Sequence, residues 1–505
     1  MVKTPQTDRQ HREILADIAQ RAMIKRGLLP DFSTAVLTEV DSIQASADAN
    51  SETKDLTNLP WASIDNDDSL DLDQLTVAEA LPEGRTKIRV AVADVDALVR
   101  SGGAIDEHAR HNTTSVYTAA RIFPMLPEKL STNLSSLGFN EERLAVVVDM
   151  VIGTNGSPQG ADIYRARVRN HAKLAYNSVS AWLEGIGAAP KEIAAVDGLA
   201  ENLRAQDRTA RSLRSLRHVH GALSLETIEA KPVFDGDRIR DLEVERKNRA
   251  RQIIEDFMIA ANGVSARYLA VRKFPSIRRV VRTPKRWDRI VELARERDFR
   301  LPEIPDSAAL DKFLIKEREA DPLRFPDLSL AVIKLLGAGE YIAEMPGDSG
   351  PGHFGLAVKD YAHSTAPNRR YADLITQRLL KAAMADRAAP YDHAELDILA
   401  RHFTEKEDAA NKVERQVSKS MAALILESRI GEQFDAIVTG ASDKGTWARL
   451  LTVPAEGSVV RGFEGMDVGD MIRVRLISVD VERGYIDFGK IGEDAYYGPR
   501  AMPLR

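Results

Sequence analysis

At 505 residues the chain is longer than one hydrophobic core serves, and about two to four domains are expected. Hydrophobic and charged fractions of 44% and 29% exclude a disordered chain, and a net charge of -6 excludes the strongly basic surface of a dedicated DNA-coating protein. The absence of cysteine excludes disulfide frameworks, thiolate metal sites and cysteine nucleophiles, and suits a reducing cytoplasm.

The polar start MVKTPQTDRQHRE lacks the apolar core of a signal peptide, and no later run is long enough to span a membrane, so a cytoplasmic protein is expected. Residues 8 to 26 predict an amphipathic helix closed by Gly27, and a second helix is expected after the LLPDFS turn. Residues 1 to 56 thus form an N-terminal helical region, either a helix-turn-helix element or an appendage packed on the next domain. Residues 57 to 430 are mixed. The strand-like runs KIRVAVADV (87 to 95) and LAVVVDMVI (144 to 152) alternate with helices such as 249 to 271, which is α+β or α/β material without an internal repeat. Residues 391 to 430 are mostly helical and stop at Gly431.

Residues 431 to 492 change texture to short β runs separated by glycines (FDAIVTG, GTWARLL, GSVVRGF, then MIRVRLISVDVERGYIDF), which predicts a small β-barrel of the OB type. Its aromatics Phe434, Trp447, Phe463 and Tyr485 stand among Lys444, Arg449, Arg461, Arg473 and Arg475. Stacking platforms beside cations suit single-stranded nucleic acid, and Trp447, after a glycine turn, is the expected exposed platform. Upstream, Arg204, Arg208, Arg211, Arg214 and Arg217 recur at helical spacing, and Arg278, Arg279, Arg282, Lys285, Arg286 and Arg289 form a second group. Each is either an ion-paired surface or the wall of a positive channel for an anionic polymer.

Two stretches carry chemistry. SIDNDDSLDLDQL (63 to 75) sets aspartates beside leucines. A calcium loop starting at Asp65 would need glycine where Leu70 stands and a bidentate acid where Thr76 stands. If 70 to 73 is extended, Leu70 and Leu72 face a core while Asp71 and Asp73 face a site, their carboxylates about 7 Å apart. Clustered carboxylates call for hard divalent cations, so Asp65, Asp71 and Asp73 are the candidate ligands of Mg²⁺, or of Mn²⁺ in its place. Metal-assisted phosphodiester hydrolysis is the chemistry that follows. In the second stretch, APNRRYADL, a proline turn feeds Arg369 and Arg370 into a helix N-terminus, where Arg369 is placed to clamp a phosphate by paired hydrogen bonds. The G-x-G-x-x-G match just before it has no preceding strand to make a dinucleotide site.

Together these stretches resemble the RNase II family, also called the RNB family, over about residues 57 to 490. SIDNDDSLDLDQ is similar to the family's T-I-D plus D-x-D-D motif, aligning Asp65, Asp71 and Asp73 with three of its four aspartates and Gln74 with the fourth. TTSVYTAARIFPMLPEKLS resembles the segment whose tyrosine, here Tyr117, stacks on the base at the RNA 3' end. LAYNSVSAWLEG and RQIIEDFMIAAN carry Tyr176 and Glu255, whose family counterparts help read the ribose. HSTAPNRRYADLITQRLL resembles H-x-T-S-P-I-R-R-Y-x-D-L-x-x-H-R-x-L, which makes Arg369 the phosphate clamp, sets Arg370 beside it toward RNA, and puts Gln377 in place of a histidine. Leu225 stands where the family has an aromatic clamp. Residues 431 to 490 resemble the S-one-type OB domain, while the region before Thr57 is too short for the two cold-shock domains that members often carry.

The resemblance implies a monomeric, processive 3'-to-5' hydrolytic exoribonuclease that takes single-stranded RNA 3' ends to nucleoside 5'-monophosphates, with Asp73 and Arg369 catalytic. Two rivals stand beside it: a non-catalytic RNA-binding protein, and an endoribonuclease of the same family.

Overall fold

A computed structural model of the chain describes residues 11 to 492, apart from 237, 246, 443 and 444. Helices α1 (His11–Lys25) and α2 (Thr34–Ser42) come first, then strands β1 (Lys54–Asp55), β2 (Ala62–Asp65), β3 (Gln74–Ala80) and β4 (Thr86–Ala93). Helix α3 (Ala104–Asn112) and a hairpin of β5 (Val116–Tyr117) and β6 (Ile122–Phe123) precede β7 (Glu142–Ile152), β8 (Pro158–Arg169) and β9 (Ala172–Ala175). Next come α4 (Tyr176–Leu183), α5 (Lys191–Ala194), α6 (Leu199–Val219), a hairpin of β10 (Glu229–Asp235) and β11 (Arg238–Glu245), and α7 (Arg249–Val271). Strand β12 (Ser276–Val280), helices α8 (Trp287–Arg295), α9 (Ser307–Ala320) and α10 (Phe325–Leu336), and strand β13 (Glu340–Glu344) lead to α11 (Tyr371–Met384) and α12 (His393–Leu426). Five strands close the described chain: β14 (Gln433–Ser442), β15 (Gly445–Leu450), β16 (Glu456–Arg461), β17 (Met471–Asp480) and β18 (Tyr485–Lys490).

The main sheet has the order β1-β8-β7-β4-β3-β2-β9. Its middle strand β4 is covered on both faces, which is why its second half reads as a continuous apolar run instead of an alternation. Helices α6 and α7 pack on the sheet and bring Ala210, Leu213, Ile253, Phe257 and Val264 into the core with Val90, Val92, Val146 and Val148. Helices α8 to α10 hold a small core of their own around Trp287, Phe313 and Phe325, and Leu225 packs against it.

Helix α12 ties the two ends of the molecule together. Its start is fixed by a capping box in which Asp392 and Glu395 each bond the other's backbone N–H. At 34 residues it runs for about 50 Å, so Leu396 and Phe403 reach the main core while Val413, Val417 and Met421 reach the barrel. The helix ends at Leu426, short of the expected stop, and a 3-10 turn over Glu427–Arg429 carries the chain to Gly431, whose φ of +94° turns it into β14. Helix α1 packs on α12 and adds Leu15, Ala19 and Met23 to the barrel-side core, while Val36 and Val40 of α2 join the main core. Both N-terminal helices thus pack on the rest of the described chain; residues 8 to 10 of the expected helix lie outside the described residues.

The barrel closes in the order β14-β15-β16-β18-β17, with β16 and β18 parallel and every other pair antiparallel, which is the OB arrangement. Gly457 is required where β16 meets β18: a Cβ there would lie 2.5 Å from the Ile486 carbonyl oxygen.

Several arginines of the two basic groups turn out to be struts. Arg214 bonds buried Asp256 at 2.6 Å and Arg217 bonds the same carboxylate, joining α6 to α7; Asp207 takes Arg211 at 2.9 Å and also Arg249. Arg278 pairs with Glu344 at 3.0 Å, Arg279 with Glu407 at 2.6 Å and Arg282 with Glu340. For these residues the ion-paired reading is the one observed. Replacing Asp256 by alanine leaves two arginines facing a buried gap, and urea unfolding should show a loss of about 3 to 5 kcal/mol.

Burial of His108 on α3, with its ring 4.5 Å from that of Phe32, lowers its pKa to about 4. The unfolded chain takes up this proton first, near the ordinary value of about 6.5. The stability it contributes is therefore whole above that pH and is lost as pH falls toward 4, reaching about 2 kcal/mol at pH 5. His108→Gln should flatten the decline of urea-unfolding stability across this window.

Candidate active site

The acidic stretch lies where the main sheet meets the turn before α11. Parallel pairing of β2 with β9 sets Asp65 opposite Ala175, so Tyr176, the first residue of α4, arrives beside it. From Asn66 to Asp73 the chain is irregular, not a strand. Leu72 and Leu75 are buried as expected, but Leu70 is 64% exposed, so it anchors nothing. Ser136 does that work instead: its hydroxyl donates to the Leu70 carbonyl at 2.7 Å and accepts from the Leu72 N–H at 3.0 Å. The Leu137 N–H then donates to the Leu72 carbonyl at 2.9 Å.

Fixed this way, Asp73 points inward and is 2% exposed. Its carboxylate accepts from the Asn368 N–H at 3.0 Å and from Arg369 Nε at 3.2 Å. Burial is the largest influence on it and raises its pKa to about 7; Arg369 and the Asn368 N–H oppose the rise, while Asp71 and Asp373 add to it. Asp65 is raised in the same direction, chiefly by burial and with Asp71 contributing, against the Asn66 N–H and Arg369. Tyr117 on β5 donates its hydroxyl to Asp71 Oδ2 at 2.9 Å. The acids, Arg369 and Tyr117 therefore form one electrostatic neighbourhood.

Arg369 is held from behind by its backbone. Its carbonyl accepts from the Ser115 N–H at 2.9 Å and the Thr114 hydroxyl at 3.2 Å, and its N–H closes the proline turn on Ala366. The side chain is left 44% exposed, and the outer guanidinium nitrogens are the ones a phosphate would meet. Arg370 is engaged within the protein. Both its bonds, each 2.8 Å, go to buried Asp373 three residues on, whose carboxylate also accepts from the Ala366 N–H, so this arginine shapes the turn.

The two glutamines have structural explanations. Gln74 donates its amide to the Thr365 carbonyl at 2.9 Å, a bond an ionised carboxylate could not make, and so ties β3 to the loop that carries Arg369. Gln377 accepts from the Asp96 N–H at 3.0 Å and donates to the Ala93 carbonyl at 2.8 Å.

Tyr176 is half-buried with the Arg251 guanidinium 4.8 Å from its ring centre, and Arg251 also donates to Asn66 Oδ1 at 2.7 Å. Glu255 lies one helical turn beyond Arg251 on α7, exposed, with Lys247 at 3.4 Å. Arg251 was missed in the sequence, although its i,i+4 spacing to Glu255 was a usable signal. Ser136 and the Asn368 N–H carried none, because their roles depend on where the backbone passes.

The barrel corrects another expectation. Trp447 is half-buried and lies against Gly440 and Gly445, whereas Tyr485 at 59% and Phe463 at 40% are the exposed barrel aromatics; Phe434 is core. Lys444 lies outside the described residues. Leu225, packed on the α8 to α10 core, is half-buried and is not offered freely to a base.

Among the described residues no three His, Asp or Glu side chains converge as a ready-made metal cage, so the expected ligand triad is not preformed. The donors nevertheless fit Mg²⁺. They are hard carboxylate oxygens, the charge of Asp71 acts unfavourably on both Asp65 and Asp73 and a cation would relieve it, and this ion is commonly held by one or two carboxylates, with water and substrate phosphate completing its shell.

A profile of the RNB domain matches residues 53–386, and one for the RNase II-type exonuclease C-terminal S1 domain matches residues 432–490. Ribonuclease R of Aquifex aeolicus is 31% identical over 501 residues, covering 93% of this chain and 70% of the relative. Ribonuclease R of Vibrio parahaemolyticus is 29% identical over 474 residues, covering 86% of this chain but 55% of that relative's length. The solved RNase R of Mycoplasma genitalium in complex with ribose methylated single-stranded RNA shares the fold, with a TM-score of 0.84 at 22% identity over 94% of this chain and 78% of that one. The RNB-domain match, which spans most of the sequence, and the similarity to the Aquifex protein over 93% of this chain establish that the chain belongs to the RNB family.

Proposed function

We propose that the protein is a processive 3'-to-5' exoribonuclease that hydrolyses single-stranded RNA to nucleoside 5'-monophosphates, acting as a cytoplasmic monomer. The observation that carries this reading is the buried Asp73 carboxylate bonded to Arg369, beneath an exposed tyrosine that contacts Asp71.

The terminal base stacks on the Tyr117 ring, and the outer nitrogens of Arg369 grip the scissile phosphate and stabilise charge as it develops there. Tyr176, held by Arg251, and Glu255 contact the terminal ribose, where the 2'-hydroxyl separates RNA from DNA. Asp73 with Asp71 and Asp65 would hold Mg²⁺, which when bound supplies an activated water and a counter-charge for the leaving oxygen. Further along the strand, the barrel offers Tyr485 and Phe463 with the exposed Arg461 and Arg475, a surface that tolerates any base sequence.

Blocking the 3' end tests the polarity. A linear RNA with a free 3' hydroxyl should be consumed, and its 3'-phosphorylated and circular counterparts should survive. Fragments from the circle would make the chain an endonuclease instead.

A further inference from the structure

Tyr117 makes contacts of two kinds. Its ring is 38% exposed, while its hydroxyl reaches inward to Asp71 Oδ2 at 2.9 Å. Its backbone N–H donates to Glu414 Oε1 at 2.8 Å, which pins this short strand to α12 and fixes where the hydroxyl can point. The three acids are not equally restrained. Asp73 is held by a backbone N–H and a guanidinium, and Asp65 by the N–H of Asn66. Among the described residues the Asp71 carboxylate has one hydrogen bond, the one from Tyr117.

A carboxylate on an irregular segment, free to rotate about two side-chain bonds, is a poor cation ligand until something orients it. A phenol can do so, because it donates one hydrogen bond and leaves the second carboxylate oxygen available. Groups that orient a ligand from behind are typically worth about 10- to 100-fold in metal affinity.

We propose that the Tyr117 hydroxyl is a positioning group for the divalent cation, holding Asp71 in its ligating orientation, and that this role is separable from the base-stacking role of the ring. The base platform and the cation site are then joined through one side chain. The proposal rests on the reading of the acids as a Mg²⁺ site; the stacking role enters only in explaining why the two are linked.

Substitution by phenylalanine separates the roles, since it keeps the ring and removes the donor. The RNA-free protein would be titrated with Mg²⁺ by calorimetry, and RNA affinity measured by fluorescence anisotropy in EDTA. Tyr117→Phe should bind Mg²⁺ about 10- to 100-fold more weakly than wild type with unchanged RNA affinity. In turnover, the Mg²⁺ concentration for half-maximal rate should rise while the KM for RNA holds. In an Asp71→Asn background the same substitution should produce no further loss of Mg²⁺ affinity. Tyr117→Ala should lose both Mg²⁺ and RNA affinity; if it lost only Mg²⁺ affinity, the stacking reading would fail and the positioning role would stand. Wild-type Mg²⁺ affinity in Tyr117→Phe would overturn the proposal, provided that Asp71→Asn lowers it. If Asp71→Asn leaves Mg²⁺ affinity intact, the cation-site reading itself is wrong and the proposal falls with it.

Discussion

Asp73→Asn should lower kcat by about 10³-fold or more while leaving RNA affinity in EDTA unchanged. The side chain is buried and its two bonds come from donors, the Asn368 N–H and Arg369 Nε. Asparagine keeps the shape and one acceptor, but it removes the negative charge on which a cation depends and places an amide N–H where the second donor bond falls. The donor-to-donor contact and the loss of the partner of Arg369 should also cost some stability, so the rate is compared at a temperature where both proteins are folded. Wild-type rates in this variant would remove Asp73 from the site.

Arg369→Met should reduce the single-turnover rate by about 10²- to 10³-fold, the usual effect of losing one well-placed donor to a developing charge. The aliphatic stem is kept, so the proline turn and the backbone bonds from Ser115 and Thr114 should persist. Lysine should not restore the rate, since a point charge cannot make the paired hydrogen bonds of a guanidinium. The corresponding change at Arg370 should behave differently. Its loss removes both bonds to Asp373, so thermal stability should fall, and any effect on rate should follow from the distorted turn.

The contrast between these adjacent arginines shows what the sequence could disclose. Both stand at a helix start and both look suited to phosphate. The R-x-x-D spacing from Arg370 to Asp373 was visible and foretold an i,i+3 pair, whereas the partner of Arg369 is Asp73, far away in sequence. Local patterns were read well for the same reason. The apolar runs of β4 and β7, the 249 to 271 helix and the glycine-spaced barrel strands depend on neighbours within a few residues, and they form where the patterns put them. Leu70 misled because alternation was assumed for a segment whose course is dictated by Ser136. The arginine stripes allow two readings from sequence because their acidic partners, Asp256, Glu344 and Glu407 among them, come from other elements. Trp447 misled because a glycine turn that looked like exposure supplies a seat for the ring.

Gln74 is clearer in the structure than in the sequence. Where a fourth carboxylate would add charge, an amide braces the loop that delivers Arg369. Asp65, Asp71 and Asp73 remain the acids proposed to hold Mg²⁺, and the charge of Asp71 acts unfavourably on both of the others.

The most direct test of the central claim is the chemical identity of the first product. Purified protein would be given a single-stranded oligo(A) labelled in its 3'-terminal nucleotide, with Mg²⁺, and the earliest product resolved by thin-layer chromatography and mass spectrometry. The account predicts labelled adenosine 5'-monophosphate from the first turnover, absent in EDTA and absent with Asp73→Asn. A labelled oligonucleotide, a 3'-phosphorylated nucleoside, or intact RNA held without cleavage would contradict it.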